Sequence, residues 1–418
     1  MLFLFGGIIL VRLIELLAAR TDRMRTSEIR DLLRVITEDV ISFAGGLPDP
    51  STFPTDEELH EIFEFIKSIK HKAFQYGLTE GLPELKEELV KFLKLQGIEA
   101  EPTDIIITSG SQQAIEISAR LFINQKDVVI VELPTYLAAI QAFNMYRPSY
   151  LGIPMDEYGM KTEVLEDELK RLISLGRKPK LIYVIPTCQN PTGLSMSMDR
   201  RRHLLELAST YDLFIIEDDP YGYIIFEDVE LKRLKAMDVE GRVIYISTFS
   251  KIFAPGIRLG WAVADREVTR YMVLAKQALD ICPPNLAQYI AYYALKAGFI
   301  TKRIPMIRRL YKEKRDAMLK ALEEYMPDTI MWTKPIGGMF TFMWLPEFIN
   351  TKMLLHSVIK KYKVAYVPGR SFFVDGSGWN TIRLSYSYPP VEKIYEGINR
   401  LSKAIKEVIL RKERALTR

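Results

Sequence analysis

The stretch STFSKIFAPGIRLG, Ser247–Gly260, follows the apolar run VIYI and sets Lys251 directly after a serine, with Arg258 seven positions further on. A lysine has a free pKa of ~10.4 and becomes a useful amine nucleophile only when burial or a nearby cation disfavours its charged form. Arg258 is a cation of that kind. Taken alone, Lys251 reads as a solvated surface group, as a single lysine almost always is. What surrounds the stretch decides between the two readings.

Working outward, VIYIST from Val243 is one of several short β-branched runs between about residues 105 and 264. The others are DIIIT from Asp104, VVIVE from Val128, LIYVIP from Leu181, LFIIEDD from Leu213 and GWAVA from Gly260. Helical patterns such as QAIEISARLFI and MDRRRHLLELASTY lie between them, and this alternation predicts an α/β fold, a mostly parallel sheet covered by helices. Strands this apolar are expected to be buried on both faces.

After about residue 300 a long charged helix (KRIPMIRRLYKEKRDAMLKALEEY) leads to strands GMFTFMWL, VAYVPG and TIRLSYS and a final helix from Val391, a smaller α+β unit. The expected division is residues 51–300 for the large domain and 301–418 for the small one. The first 50 residues join the small domain through the Gly/Pro-rich crossing loop ISFAGGLPDP.

The 418 residues suffice for two or three domains with a sizeable core. Basic and acidic residues are interspersed and leave a net charge of +4, so no basic patch points to nucleic acid. Two well-separated cysteines, Cys188 and Cys282, lack metal-ligand spacing, which argues against a disulfide scaffold or metal site and fits a reducing cytoplasm. The apolar start MLFLFGGIILVRLIELLAAR contains Arg12 and Glu15 and is too short and charged to span a bilayer. It reads as a helix packed on a neighbouring subunit or as a translation start placed too early.

In an open α/β sheet, ligands bind beyond the carboxyl ends of the strands. After DIIIT comes SGSQQ, where Ser111 and Gln112 open a helix, as an ordinary cap or as an anion site. After VVIVE, Tyr136 offers an aromatic face for packing or for stacking on a planar ligand. After LIYVIP, Asn190 sits in the turn TCQNPTG. After LFIIE come Asp218 and Asp219, either of which could hold a positive charge, and then Tyr221. Beyond VIYIST stand Ser250, Lys251 and Arg258. A phosphate cradle, a stacking aromatic, an acid for a ring nitrogen and an imine-forming lysine together describe a pyridoxal 5'-phosphate site.

With these motifs in order, the sequence resembles the class I/II pyridoxal-phosphate-dependent aminotransferases of fold type I, from about Arg20 to the C-terminus. AGGLP, FQYG with GLPELKEEL, DDPYGY, and PGRSFF followed by RLSYS are most similar to the kynurenine and 2-aminoadipate branch. The resemblance implies a seven-stranded sheet and a homodimer. It implies that Lys251 binds the cofactor aldehyde and later moves the α-proton, that Asp218 pairs with the ring nitrogen, that Tyr136 stacks on the ring, and that Asn190 and Tyr221 bond its 3-oxygen. Ser111, Gln112, Ser250 and Arg258 would hold the phosphate, with Tyr76 reaching it from the other subunit. Arg383 would fork onto the substrate α-carboxylate, Gly45 and Gly46 would let the backbone approach the substrate, and Arg30 matches a substrate-side arginine. Thr248 stands where the family pattern often has serine, and residues 1 to about 10 match nothing in it.

The implied reaction moves an α-amino group from an aromatic amino acid, kynurenine, 2-aminoadipate or glutamate to a 2-oxo acid. The rival readings are a lyase or decarboxylase of the same fold, since the cofactor carries the hard chemistry, and an aminotransferase-like transcription regulator. The second rival needs a helix-turn-helix, and the residues ahead of ISFAGG show no such helix pair.

Overall fold

The computed structural model describes residues 15–24 and 37–416; the apolar start through residue 14 and Arg30 lie outside the described residues. The chain passes through β1 (Ile41–Ser42) into α1 (Asp56–Ser68) and α2 (Pro83–Lys94). The Thr55 hydroxyl accepts from the Glu58 N–H and the Glu58 carboxylate accepts from the Thr55 N–H, a capping box that fixes where α1 begins. Strands and helices then alternate: β2 (Ile105–Thr108), α3 (Ser111–Phe122), β3 (Val128–Leu133), α4 (Leu137–Asn144), β4 (Ser149–Asp156), β5 (Gly159–Met160), α5 (Thr162–Ser174), β6 (Leu181–Val184), α6 (Met198–Tyr211) and β7 (Phe214–Asp218). Next come β8 (Val243–Thr248), β9 (Gly260–Val263), α7 (Arg266–Asp280) and α8 (Asn285–Lys296). The long α9 (Phe299–Tyr325) leads to β10 (Met331–Trp332), β11 (Phe340–Trp344), β12 (Val364–Ala365), β13 (Val367–Pro368), β14 (Thr381–Ser385) and α10 (Val391–Leu416).

Strands β2 to β9 form one sheet in the order β2-β9-β8-β7-β6-β3-β4-β5. This is eight strands, against the seven expected. β5 is two residues long and antiparallel to β4 at the sheet edge, too short to leave an apolar run in the sequence. Strands β2, β6, β8 and β9 are buried along their length, because successive residues point to opposite faces and different helices cover each face. Leu181 and Tyr183 of β6 pack with Ile115 and Ile117 of α3 and Met272 of α7. Their neighbours Ile182 and Val184 pack with Leu165 of α5 and Leu204 of α6.

A second sheet, β10-β11-β14-β13, is antiparallel, and Arg383 on β14 stands between Phe342 of β11 and Val367 of β13. β1 pairs in parallel with β12, stitching the N-terminal segment to the C-terminal one. Helix α9 serves both sheets: Ile300 and Ile304 lie in the core with Trp261 of β9, whereas Ile307, Tyr311 and Leu322 lie in the core with Phe340 and Leu384. Pro305 falls between the two groups. Among the described residues no helix is long and apolar enough to cross a membrane.

Gly260, at the start of β9, has no room for a side chain: a Cβ there would lie 2.7 Å from the Ser111 nitrogen and 2.7 Å from the Ser247 carbonyl oxygen. These neighbours are backbone and cannot rotate away. Gly260→Ala should cost about 1–3 kcal/mol by overpacking, read as a lower urea midpoint at unchanged slope.

Candidate active site

Strands β3, β4, β6, β7 and β8 run parallel, and β2 runs with them because both β2 and β8 are antiparallel to β9. The carboxyl ends of β2, β3, β6, β7 and β8 therefore share one edge, and the groups that follow them line one cavity of about 630 Å³. The small sheet closes it with Phe340 and Arg383, and the crossing loop adds Gly46 and Leu47.

Lys251 lies in a 3₁₀ turn just past β8, and its Nζ donates to the Gly46 carbonyl oxygen at 2.8 Å. Removal from water, then the positive charges of Arg383 and Arg258, lower its pKa to about 8. Asp218 ends β7. Its Oδ2 accepts from the Tyr183 hydroxyl at 2.7 Å, while Oδ1 is buried without a partner among the described residues. Burial raises this carboxyl to about 7, with Asp219 adding to the rise and the Tyr183 bond opposing it. The adjacent Asp219 points to the other face of the sheet, where it pairs with buried Arg233 at 2.9 Å and accepts from the Tyr245 hydroxyl at 3.0 Å. Strand alternation thus assigns one acid of the pair to the cavity and the other to structure.

Arg383 is buried and donates to the Asn190 side-chain oxygen at 2.9 Å and to the Ala44 carbonyl at 2.8 Å. Its guanidinium lies 4.2 Å from the Phe340 ring centroid, and its Nε has no partner among the described residues. Burial lowers its pKa to about 10, and no carboxylate among the described residues offsets that. Tyr221 packs edge-on against Phe340 and is pushed well above the usual phenol range, mainly by burial.

Ser111 opens α3, whose first N–H groups have no intrahelical partner. The preceding Gly110 has φ +80°, and a Cβ there would meet Arg258 Nη2 at 2.6 Å, so the guanidinium sits directly on the helix start. Ser250 Oγ lies 3.0 Å from Thr248 Oγ1, and both residues line the cavity. Gln112 lines it too, with its amide engaged at 2.8 Å by the Ala138 carbonyl, which anchors the Tyr136 loop.

Sequence reading gathers most of these residues. Gly45 is buried behind the lining rather than in it. Tyr76 is 80% exposed and lies on a separate hollow with Asn285 and Tyr289. Sequence reading missed Tyr183, although strand register could have found it: Tyr183 pairs with Ile216, so Asp218, two residues on, shares its face. Phe340 was also missed, because only the packing of the two sheets brings it here.

The family model for aminotransferase class I and II matches residues 39–401. The chain belongs to that family. An aromatic-amino-acid aminotransferase of Thermococcus litoralis is 49% identical over 92% of this aminotransferase and 92% of its own length. A 2-aminoadipate transaminase of Thermus thermophilus is 37% identical over 93% and 96% of the two chains. Among solved structures, the kynurenine aminotransferase of Pyrococcus horikoshii, crystallised with the pyridoxamine form of the cofactor and kynurenine, matches with a TM-score of 0.92 at 49% identity, covering 96% of this chain and 99% of that one.

The raised carboxyl of Asp218 has a consequence for this aminotransferase without cofactor. A carboxyl normally near ~3.9 but held at about 7 favours folding while protonated, so its contribution is complete below ~4 and disappears as pH rises through about 7. In cofactor-free protein Asp218→Asn should raise stability at pH 8 by about 2–4 kcal/mol and change it little at pH 4. Calorimetric melts at both pH values check this, and an equal shift at both would count against it.

Proposed function

We propose that the protein transfers the α-amino group of aromatic amino acids and kynurenine to 2-oxo acids, with glutamate and 2-oxoglutarate as the common pair, in two half-reactions on pyridoxal 5'-phosphate. One observation carries this reading. A single cavity holds an amine, a carboxylate and a guanidinium, and none of the three is neutralised by an opposite charge among the described residues.

The residues present fit that cofactor. The unpartnered Oδ1 of Asp218 suits a protonated ring nitrogen, and the α3 start with Ser111, Gln112, Ser250 and Arg258 suits a phosphate. Tyr136 would cover one ring face, and Asn190 and Tyr221 would meet the ring oxygen. When bound, the cofactor supplies an aldehyde that takes up amines and a ring that accepts electrons from the α-carbon. Lys251, lowered to about 8, has an uncharged fraction near neutral pH that an ordinary lysine lacks, and it would hold or return the α-proton at Nζ. Asp218 keeps a negative charge beside the ring nitrogen. Arg383 takes the substrate α-carboxylate in the two-pronged geometry of a guanidinium, and the Gly46 backbone lies close because no side chain intervenes. In this reading residues 51–300 hold the cofactor, and residues 301–418 with the N-terminal 50 hold the substrate.

Leu47, Ile185 and Phe340 give the cavity apolar walls, which supports an aromatic donor, as do the aromatic-amino-acid and kynurenine activities of two of the relatives named above. We also propose a homodimer in which Tyr76, exposed here with Phe74 at 73%, completes the partner's phosphate site.

Capture of pyridoxal phosphate by cofactor-free protein, followed by absorbance, should accelerate as pH rises through about 8. Lys251→Ala should fold normally and retain no cofactor after borohydride reduction and denaturation; retention at the original stoichiometry would refute the assignment. Arg30→Ala should raise KM for 2-aminoadipate by about tenfold, the loss of one charged contact, and leave tyrosine turnover unchanged. Equal losses for both donors would count against Arg30 contacting the side-chain carboxylate of 2-aminoadipate.

A further inference from the structure

Glu132, next to the end of β3, is 1% exposed and does not line the cavity. One of its oxygens, Oε1, is buried without a partner among the described residues, and burying such an atom carries a penalty that an apolar residue would avoid. The other, Oε2, accepts from the Ile185 N–H at 3.0 Å and from Gln189 Nε2 at 3.2 Å. Gln189 Nε2 also donates to the Pro134 carbonyl at 2.8 Å, and its Oε1 accepts from the Thr192 N–H at 2.8 Å and hydroxyl at 2.7 Å. Glu132 and Gln189 therefore join the loop that carries Tyr136 to the loop that carries Asn190.

The same loop is gripped from its other side. Arg201, fully buried on α6, donates to the Thr187 hydroxyl at 2.9 Å and the Met196 carbonyl at 2.9 Å. Between these grips stands Asn190, whose oxygen receives Arg383 Nη1. Arg383 has two such contacts fixing its plane, Asn190 and the Ala44 carbonyl.

We propose that Glu132 is a positioning residue: acting through Gln189, it holds Asn190 where Asn190 aligns Arg383 for the substrate carboxylate. The proposal rests on the reading of Arg383 given above. Without the Glu132 oxygen, the Ile185 N–H and the Gln189 amide lose their shared acceptor, Gln189 is free to turn, and the Asn190 contact slackens. The effect falls on carboxylate recognition. The phosphate cradle, built on α3 and the turn after β8, is untouched.

The test uses the holoenzyme and 3-phenylpropionate, an aromatic acid without an amino group, with its Kd read from the cofactor absorbance. Glu132→Leu should raise that Kd, and KM for tyrosine, by about tenfold, equivalent to ~1.4 kcal/mol. The affinity for pyridoxal phosphate, from equilibrium dialysis, should fall by no more than about threefold, ~0.65 kcal/mol, because Asn190 is one of several groups at the cofactor and the phosphate cradle and Lys251 keep their places. Glu132→Gln retains an acceptor oxygen and should restore the Kd to near the parent value. Gln189→Met removes the relay by a second route and should reproduce the Glu132→Leu split, which keeps the test open if Glu132→Leu does not fold. A parallel loss of cofactor affinity would reduce Glu132 to a structural role and overturn the proposal, as would unchanged probe binding in both apolar variants. Arg383→Met is the control. If it abolishes probe binding while the other two variants do not, the relay alone fails; if it too binds the probe normally, the carboxylate reading of Arg383 fails and the proposal falls with it.

Discussion

A guanidinium taken out of water needs a partner, and Arg383 has two neutral acceptors, the rings of Phe340 and Phe372, and no acid among the described residues. Burying a charge in this state is tolerated only when the surroundings over-determine it. Much of the architecture does that. β14 holds Arg383 between two neighbouring strands, β1 delivers the Ala44 carbonyl by pairing with β12, and the loop after β6 delivers Asn190. Remove any of these and the cation is left with fewer acceptors and nothing to gain.

Lys251 and Asp218 repeat the pattern on the large sheet. Each is held away from its ordinary pKa mainly by loss of water, in opposite directions, so both drift toward neutrality when nothing occupies the cavity. Three such groups in one space oppose folding. The closely packed cores on both faces of the sheet offset this, which is a recurring compromise between stability and activity.

Much of this was legible in the sequence because strand ends are local. The runs before Ser111, Tyr136, Asn190, Asp218 and Lys251 are short and apolar, and a parallel sheet brings their ends to one edge whatever the register. What the sequence did not yield depends on pairing. Which of Asp218 and Asp219 faces the cavity follows from alternation once the strand is fixed, but the Tyr183 bond needs the β6–β7 register. Phe340 and Glu132 needed the tertiary fold, since their contacts lie on loops and strands distant in sequence. β5 escaped notice because two residues carry no periodicity. Tyr76 faces solvent in the single chain, so only its motif points to the site.

Helix α9 crosses from one core to the other at Pro305. Proline has no N–H to give to the preceding turn and pushes against its carbonyl, so the ladder lacks the rung from position 305 back to the Thr301 carbonyl. Bending stiffness is therefore lowest there. The strut that couples the two sheets is a jointed beam, and rotation of the Arg383 sheet against the Asp218 sheet would be absorbed at that joint with the packing on either side left intact.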